Sequence, residues 1–266
     1  TNIGDLNNDG VNDIAVGANG DDDEGNNRGV IYIMYMNTDG SVDSTVEINS
    51  GTTNGPDLSN NDYFGRSVAN IGDLNNDGVN DIAVGAPGDD DEGNNRGVIY
   101  IMYMNTDGSV DSTVEINDDT TNGPVLTNLD NFGISVANIG DLNGDDVNDI
   151  AVGAYYDDNG GSNRGALHIM FMNTDGSIDS TVEINSSTTN GPVLSNNFDY
   201  FGISVTNIGD LNNDGVNDIA VGAYGDDDGG AGRGALHIMF MNTDGSIDST
   251  VEINSSTTNG PVLSNN

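Results

Sequence analysis

The chain has 266 residues, with 44 acidic side chains against five basic ones, all of them arginine, for a formal net charge of −39. Such a balance argues against nucleic acid as a partner, because phosphate binding needs a basic footprint, and against anionic membranes; a compact fold at this charge calls for cations or high ionic strength. Cysteine is absent, which removes disulfides and thiolate metal sites, and the longest apolar run, VIYIMYM at 30–36, is too short to span a bilayer, so no membrane insertion is expected.

Thirty-eight glycines and only five prolines suit many short strands joined by tight turns, with few helices. The acidic nonapeptide DLNNDGVND stands at 5–13, returns unchanged at 73–81 and 210–218, and appears as DLNGDDVND at 141–149. This spacing of 68 or 69 residues defines a single repeat array, with approximate units 1–57, 58–125, 126–194 and 195–266. Residues 2–49 and 70–117 differ only where Asn19 becomes Pro87, and 164–197 and 233–266 are the same string, so the units are recent copies of one another.

In chain order, with the second unit as template, four strands are predicted: YFGRSVA at 63–69, DIAVGA at 81–86, RGVIYIMYM at 96–104 and SVDSTVEI at 109–116. The NTDG between the last two, at 105–108, is a hairpin signal. Four antiparallel strands per repeat make one propeller blade. The third strand is apolar on both faces, as a strand sandwiched between neighbouring blades should be. The expected fold is therefore all-β, a β-propeller-type array of four-stranded antiparallel blades. Residue 1 corresponds to Thr206 and residue 266 to Asn197, so the first blade is expected to lack its first strand. Either the chain is cut from a longer array or a neighbouring molecule supplies that strand; an unpaired sheet edge is a template for association, so self-association through the open blade edge is expected.

Within the nonapeptide, oxygen-bearing side chains fall at positions one, three, five and nine, glycine at six allows a sharp bend, and position seven would turn its backbone carbonyl inward. The candidate ligands are Asp5, Asn7, Asp9, Val11 and Asp13; Asp73, Asn75, Asp77, Val79 and Asp81; Asp141, Asn143, Asp145, Val147 and Asp149; and Asp210, Asn212, Asp214, Val216 and Asp218. Hard oxygens at alternate positions of a tight loop are what Ca²⁺ requires, whereas zinc would want histidine or cysteine. About four ions are expected, one per repeat. An EF-hand is excluded because position twelve, where it needs a bidentate glutamate, is Val16, Val84, Val152 or Val221. The competing interpretation is an acidic turn whose side chains merely cap the backbone. In the third copy Asp146 stands at position six, a residue that tolerates left-handed geometry.

Each unit also carries FG (64–65, 132–133 and 201–202 in the last three) and GAP or a variant (GAN 17–19, GAP 85–87, GAY 153–155 and 222–224). In fixed order with the acidic loop, these resemble the FG-GAP repeat of integrin alpha-subunit propellers and of bacterial integrin-like surface proteins, along the whole chain. The resemblance implies blades that close on calcium through Asp13 and its equivalents. It also implies an extracellular or cell-surface setting and a role in adhesion or recognition, with a protein or glycan ligand on a face of the propeller. Two departures stand out: integrin propellers have seven blades, and these units are more uniform. Uniformity favours an alternative, a structural subunit of a surface fibre or filament built by head-to-tail blade completion. An RTX-type β-roll is remote, since its short nonapeptide period is absent.

A second acidic cluster, DDDE at 21–24 and 89–92, DDNG at 157–160 and DDDGG at 226–230, reads as a solvated loop balanced in part by Arg28, Arg96, Arg164 or Arg233. It could also bind another cation or a partner's basic groups. His168 and His237 replace Tyr32 and Tyr100 in the third strand and are expected to pack. No serine sits in a nucleophile motif and no phosphate loop precedes a helix, so an enzyme is not expected. Asn185 and Asn254 begin NSS sequons on Thr-rich turns, which are candidates for glycans.

Overall fold

The computed structural model describes residues 1–91 and 93–263. Glu92, in the second DDDE run, and residues 264–266, the end of the fourth unit, lie outside them. Among the described residues, sixteen strands and no helix form four sheets. Blade one holds β1 (Asn2–Gly4), β2 (Asp13–Ala18), β3 (Val30–Met36) and β4 (Val42–Ile48). Blade two holds β5 (Ser67–Gly72), β6 (Asp81–Ala86), β7 (Val98–Met104) and β8 (Val110–Ile116). Blade three holds β9 (Phe132–Gly140), β10 (Asp149–Ala154), β11 (Ala166–Met172) and β12 (Ile178–Ile184). Blade four holds β13 (Phe201–Gly209), β14 (Asp218–Ala223), β15 (Ala235–Met241) and β16 (Ile247–Ile253). Every sheet pairs its strands antiparallel in sequence order.

Two expectations about the first strands are corrected. The first blade does not lack its first strand: Asn2 lies opposite Ile14 and Gly4 opposite Asp13, so the NIG segment beside the acidic loop suffices for a short ladder. In blade two the strand begins at Ser67 rather than at Tyr63, because Tyr63 and Gly65 take φ of 58° and 80° and turn the chain. Blades three and four start at Phe132 and Phe201, but a bulge follows at once, with Gly133 and Gly202 left-handed. The NTDG hairpin is as expected: Gly108 (φ 77°) donates its N–H to Asn105, and Asn105 donates to Ser109, both at 2.9 Å.

The core consists of three layers, one between each pair of successive blades. Successive side chains of a strand point to opposite faces. Thus Val84, Tyr100 and Met102 of blade two pack toward Ile31, Ile33 and Ile48 of blade one, while Ile99, Ile101 and Ile116 pack toward Val152 and Met170 of blade three. β7 and β11 are buried along their whole length, as a sandwiched strand must be. The innermost strands β5, β9 and β13 stand side by side, with β1 next to β5, and the four blades form an open arc.

The two halves of the FG and GAP pattern meet across blade boundaries. A Cβ placed on Gly17, Gly85 or Gly153 would lie 1.9 Å from the carbonyl oxygen of Gly65, Gly133 or Gly202 in the next blade. Backbone thus rests on backbone, and only glycine permits it. Phe64, Phe132 and Phe201 are fully buried beside these contacts. Each ring meets Tyr100, His168 or His237 edge-on, with centroids 5.8, 5.5 and 5.6 Å apart.

Candidate metal centre

Each nonapeptide leaves a first strand and enters a second, so all four loops sit at the same end of their blades. The turn is sharp because position six is left-handed, with φ of 90°, 92° and 94° at Gly10, Gly78 and Gly215 and 69° at Asp146. Position four is left-handed as well, at Asn8, Asn76, Gly144 and Asn213. Position one organises the loop: Asp5 accepts the N–H of Asp9 at 2.9 Å on Oδ1 and that of Gly10 at 2.8 Å on Oδ2. Asn7 also accepts the Asp9 N–H at 3.0 Å and donates its amide to Asp9 Oδ2 at 2.9 Å, while Asp9 Oδ1 accepts the N–H of Val11 at 2.8 Å. The pattern repeats around Asp73, Asp141 and Asp210.

Position nine behaves differently. Asp13, Asp81, Asp149 and Asp218 are fully buried at the start of the second strand. Asp81 takes the Leu74 N–H at 2.9 Å on one oxygen and the Met104 N–H at 3.1 Å on the other, tying the loop's start to the end of the third strand. Asp13, Asp149 and Asp218 do the same with Leu6 and Met36, Leu142 and Met172, and Leu211 and Met241. Burial pushes the carboxyls of Asp81 and Asp149 up to about 6, against the lowering effect of those N–H groups. At position seven, the side chains of Val79, Val147 and Val216 pack on the three core layers.

The donor set fits a hard cation. Positions one, three, five and nine each carry a side-chain oxygen, and each carboxylate oxygen that accepts one N–H keeps further lone pairs. Those N–H bonds fix the orientation of the carboxylates within the loop. The same bonds also serve the turn itself, so the capping role weighed from sequence is met alongside.

Position eight carried no signal in the sequence, yet it joins blades. Asn80, Asn148 and Asn217 each donate Nδ2 at 2.9 Å to a carbonyl of the preceding blade, those of Ile3, Ile71 and Ile139. Gly4, Gly72 and Gly140 make room for these amides, since a Cβ there would lie 2.5–2.6 Å from them. The TTNGP turns are likewise structural. Asn54 donates to the Asp111 carbonyl at 2.8 Å, and Thr113 donates back to the Asn54 carbonyl at 2.7 Å.

The second acidic cluster sits at the opposite end of the blade, in the loop after the second strand. It is not wholly solvated, because Asp89, Asp157 and Asp226 are buried. Nor do the arginines simply balance it. Arg28 and Arg96 reach forward to Asn60 and Asn128 of the following unit, at 3.1 and 3.2 Å, and Arg96 also pairs with Asp118. Burial pushes Asp89 and Asp157 up to about 7 and lowers His168 to about 4, so His168 is an uncharged packing residue at neutral pH. Of the sequon asparagines, Asn254 is buried and donates its amide to Glu252, and Asn185 donates to Glu183 at 2.5 Å.

Four-stranded blades stacked through glycine contacts, each led by an acidic loop, define a β-propeller-type repeat array. A family model described as the FG-GAP repeat matches residues 2–34, 64–102, 132–170 and 201–239, and the chain belongs to that family. Among curated proteins it is similar to human integrin alpha-11 (36% identical over 165 residues, 61% of this chain and 13% of that protein). It is also similar to human integrin alpha-6 (38% over 164 residues, 61% and 13%) and to integrin alpha pat-2 of Caenorhabditis elegans (29% over 238 residues, 84% and 17%). The chain therefore corresponds to less than a fifth of the length of these relatives. Among the described residues, no helix is long and apolar enough to cross a membrane.

Proposed function

We propose that this chain is a calcium-binding, extracellular FG-GAP module of cell-surface adhesion or recognition. The observation that carries the reading is the fourfold recurrence of one loop, with the same oxygens at positions one, three, five and nine, on blades similar to those of integrin alpha chains. Working units 1–57, 58–125, 126–194 and 195–266 each take about one Ca²⁺ on the five named loop positions. Millimolar extracellular calcium suits a site of this kind. The ion fastens the acidic loop at one end of the blade, and a protein or glycan is recognised on a propeller face.

The test is calcium binding counted by equilibrium dialysis, followed by capture on immobilised matrix proteins and glycans in calcium and in EGTA. About four ions per chain and calcium-dependent capture are expected. A melting temperature unmoved by EGTA would refute the calcium part, because a ligand that binds only the native state must stabilise it.

A second reading, the fibre subunit, is favoured by one surface. Leu167, Ile184 and Leu194 seat Phe201 of the following blade. Their equivalents Leu236, Ile253 and Leu263 line an open groove on blade four, with Leu236 at 38% exposure. The opposite face of blade one is open too: Val16 is 40% exposed where Val84 is at 0%. A further FG-bearing blade supplied by a second molecule fits this groove. Electron microscopy of concentrated protein in calcium should then give head-to-tail threads, and discrete particles at all concentrations would remove this reading.

A further inference from the structure

In blade four, the loop after β14 does something the other blades do not. One carboxylate oxygen from each of Asp226, Asp228 and Glu252 comes within 4.8 Å of the others, the group of this kind found among the described residues. Asp226 and Asp228 arrive from the loop and Glu252 from β16, so two separate segments converge.

Asp226 decides the matter. Its side chain is 1% exposed, its Oδ1 accepts the N–H of Asp228 at 2.8 Å, and its Oδ2 is buried without a hydrogen-bond partner. An unpartnered buried carboxylate oxygen is costly, which is why such groups are found paired or on metals. Asp199 adds to the demand: it is fully buried, its Oδ1 is unpartnered, and the charges of Asp226 and Asp228 act on it, offset in part by Arg164. His237 Nε2 lies 3.8 Å from Asp226 Oδ2, and neither ring nitrogen has a hydrogen-bond partner.

Blades one and two answer the same demand with a protein group. In blade two Tyr100 stands where His237 does and donates its hydroxyl to Asp89 Oδ2 at 3.3 Å; in blade one Tyr32 does so to Asp21 at 3.4 Å. In blade three Asp157 Oδ2 is likewise buried without a partner, but Asn159 stands where blade four has Asp228, and its amide donates to both oxygens of Glu183, at 3.2 and 3.1 Å, in place of a third carboxylate. Blade four has neither device.

We infer that blade four holds a second, separate cation site, in which Asp226, Asp228 and Glu252 bind an oxygen-favouring divalent metal of the calcium or manganese class. Carboxylates suit those ions, and three negative charges from two segments would lock the loop onto β16. The site lies at the far end of the blade from the DLNNDGVND loop. It does not depend on that loop's calcium.

The test counts metal. Wild type and the double variant Asp228→Asn/Glu252→Gln, whose side chains lie toward the surface, are dialysed against Ca²⁺ and, separately, Mn²⁺, and bound metal is measured by mass spectrometry. The double variant should lose one equivalent with at least one of the two metals while its circular dichroism is unchanged. His237→Tyr, which imports the device of blade two, should lose the same equivalent. Equal stoichiometry in all three proteins with both metals would overturn the assignment. Asp210→Asn separates this outcome from failure of the loop reading, because it removes the equivalent of the 210–218 loop and leaves that of Asp226, Asp228 and Glu252 in place.

Discussion

Asn148 Nδ2 donates to the carbonyl oxygen of Ile71 at 2.9 Å, joining the acidic loop of blade three to the innermost strand of blade two. The amide lies between Val147, which packs on the core, and Asp149, which holds the loop to β11. Loop order and blade stacking are therefore coupled within three residues. Replacing Asn148 with alanine orphans the carbonyl and should cost about 1–2 kcal/mol. A melting temperature lower by about 3–5 °C, measured in saturating calcium, is the expected reading.

Gly153 and Gly222 occupy the same place in blades three and four, but only Gly153 has a following blade in this chain. Alanine at Gly153 would put a Cβ 1.9 Å from the Gly202 carbonyl, a backbone atom that cannot move aside. Gly153→Ala should cost about 3 kcal/mol or more. At Gly222 the nearest obstacle is the Ser204 hydroxyl at 2.5 Å, which can rotate, and the cost should stay within about 1 kcal/mol. Chemical denaturation of the two variants compares them directly. If threads form, Gly222→Ala should abolish them while leaving the isolated chain folded.

Asp146 holds φ at 69° where the other copies have glycine. Its own N–H donates to Asp141 Oδ2 at 2.8 Å, a bond that glycine would keep. Asp146→Gly should therefore raise stability by about 0.5–1 kcal/mol through relief of left-handed strain. Melting temperatures in calcium and in EGTA should rise together.

The buried carboxyls set a pH dependence with an unusual sign. Burial raises Asp62, Asp130 and Asp199 to about 6 and Asp89 and Asp157 to about 7. Between the ordinary carboxylate range and these values the folded chain binds more protons than the unfolded one, so stability falls as pH rises. In EGTA the melting temperature should drop by about 5 °C or more between pH 4.5 and pH 7.5. Divalent cations should shrink the drop. A melting curve in EGTA that improves over this range would contradict the assignment of burial as the cause.

The period, the strand order and the hairpins were legible in the sequence because they rest on local signals: DIAVGA and VIYIMYM read as strands, and NTDG has only one economical turn. What crosses from blade to blade was not legible. Nothing local marks Asn80 or Asn148 as donors to a carbonyl of the preceding blade, and FG and GAP do not announce in sequence that they touch each other in space. The oxygens of the acidic loop were readable by position, but the double N–H embrace of Asp81 was not, since one of its donors, Met104, lies 23 residues away. The second acidic cluster was not legible either: DDD at 89–91 and at 226–228 are the same letters and Asp89 and Asp226 are both buried, yet one meets the Tyr100 hydroxyl and the other the His237 ring.

The glycine contact between Gly85 and Gly133 has a genetic corollary. Its two surfaces belong to the middle of one repeat and the front of the next, so any in-frame tandem copy arrives with a ready-made joint on either side. Lengthening such a gene by unequal crossover needs no compensating mutation at the junction, and the near-identity of residues 2–49 with 70–117 is the trace that growth of this kind leaves behind.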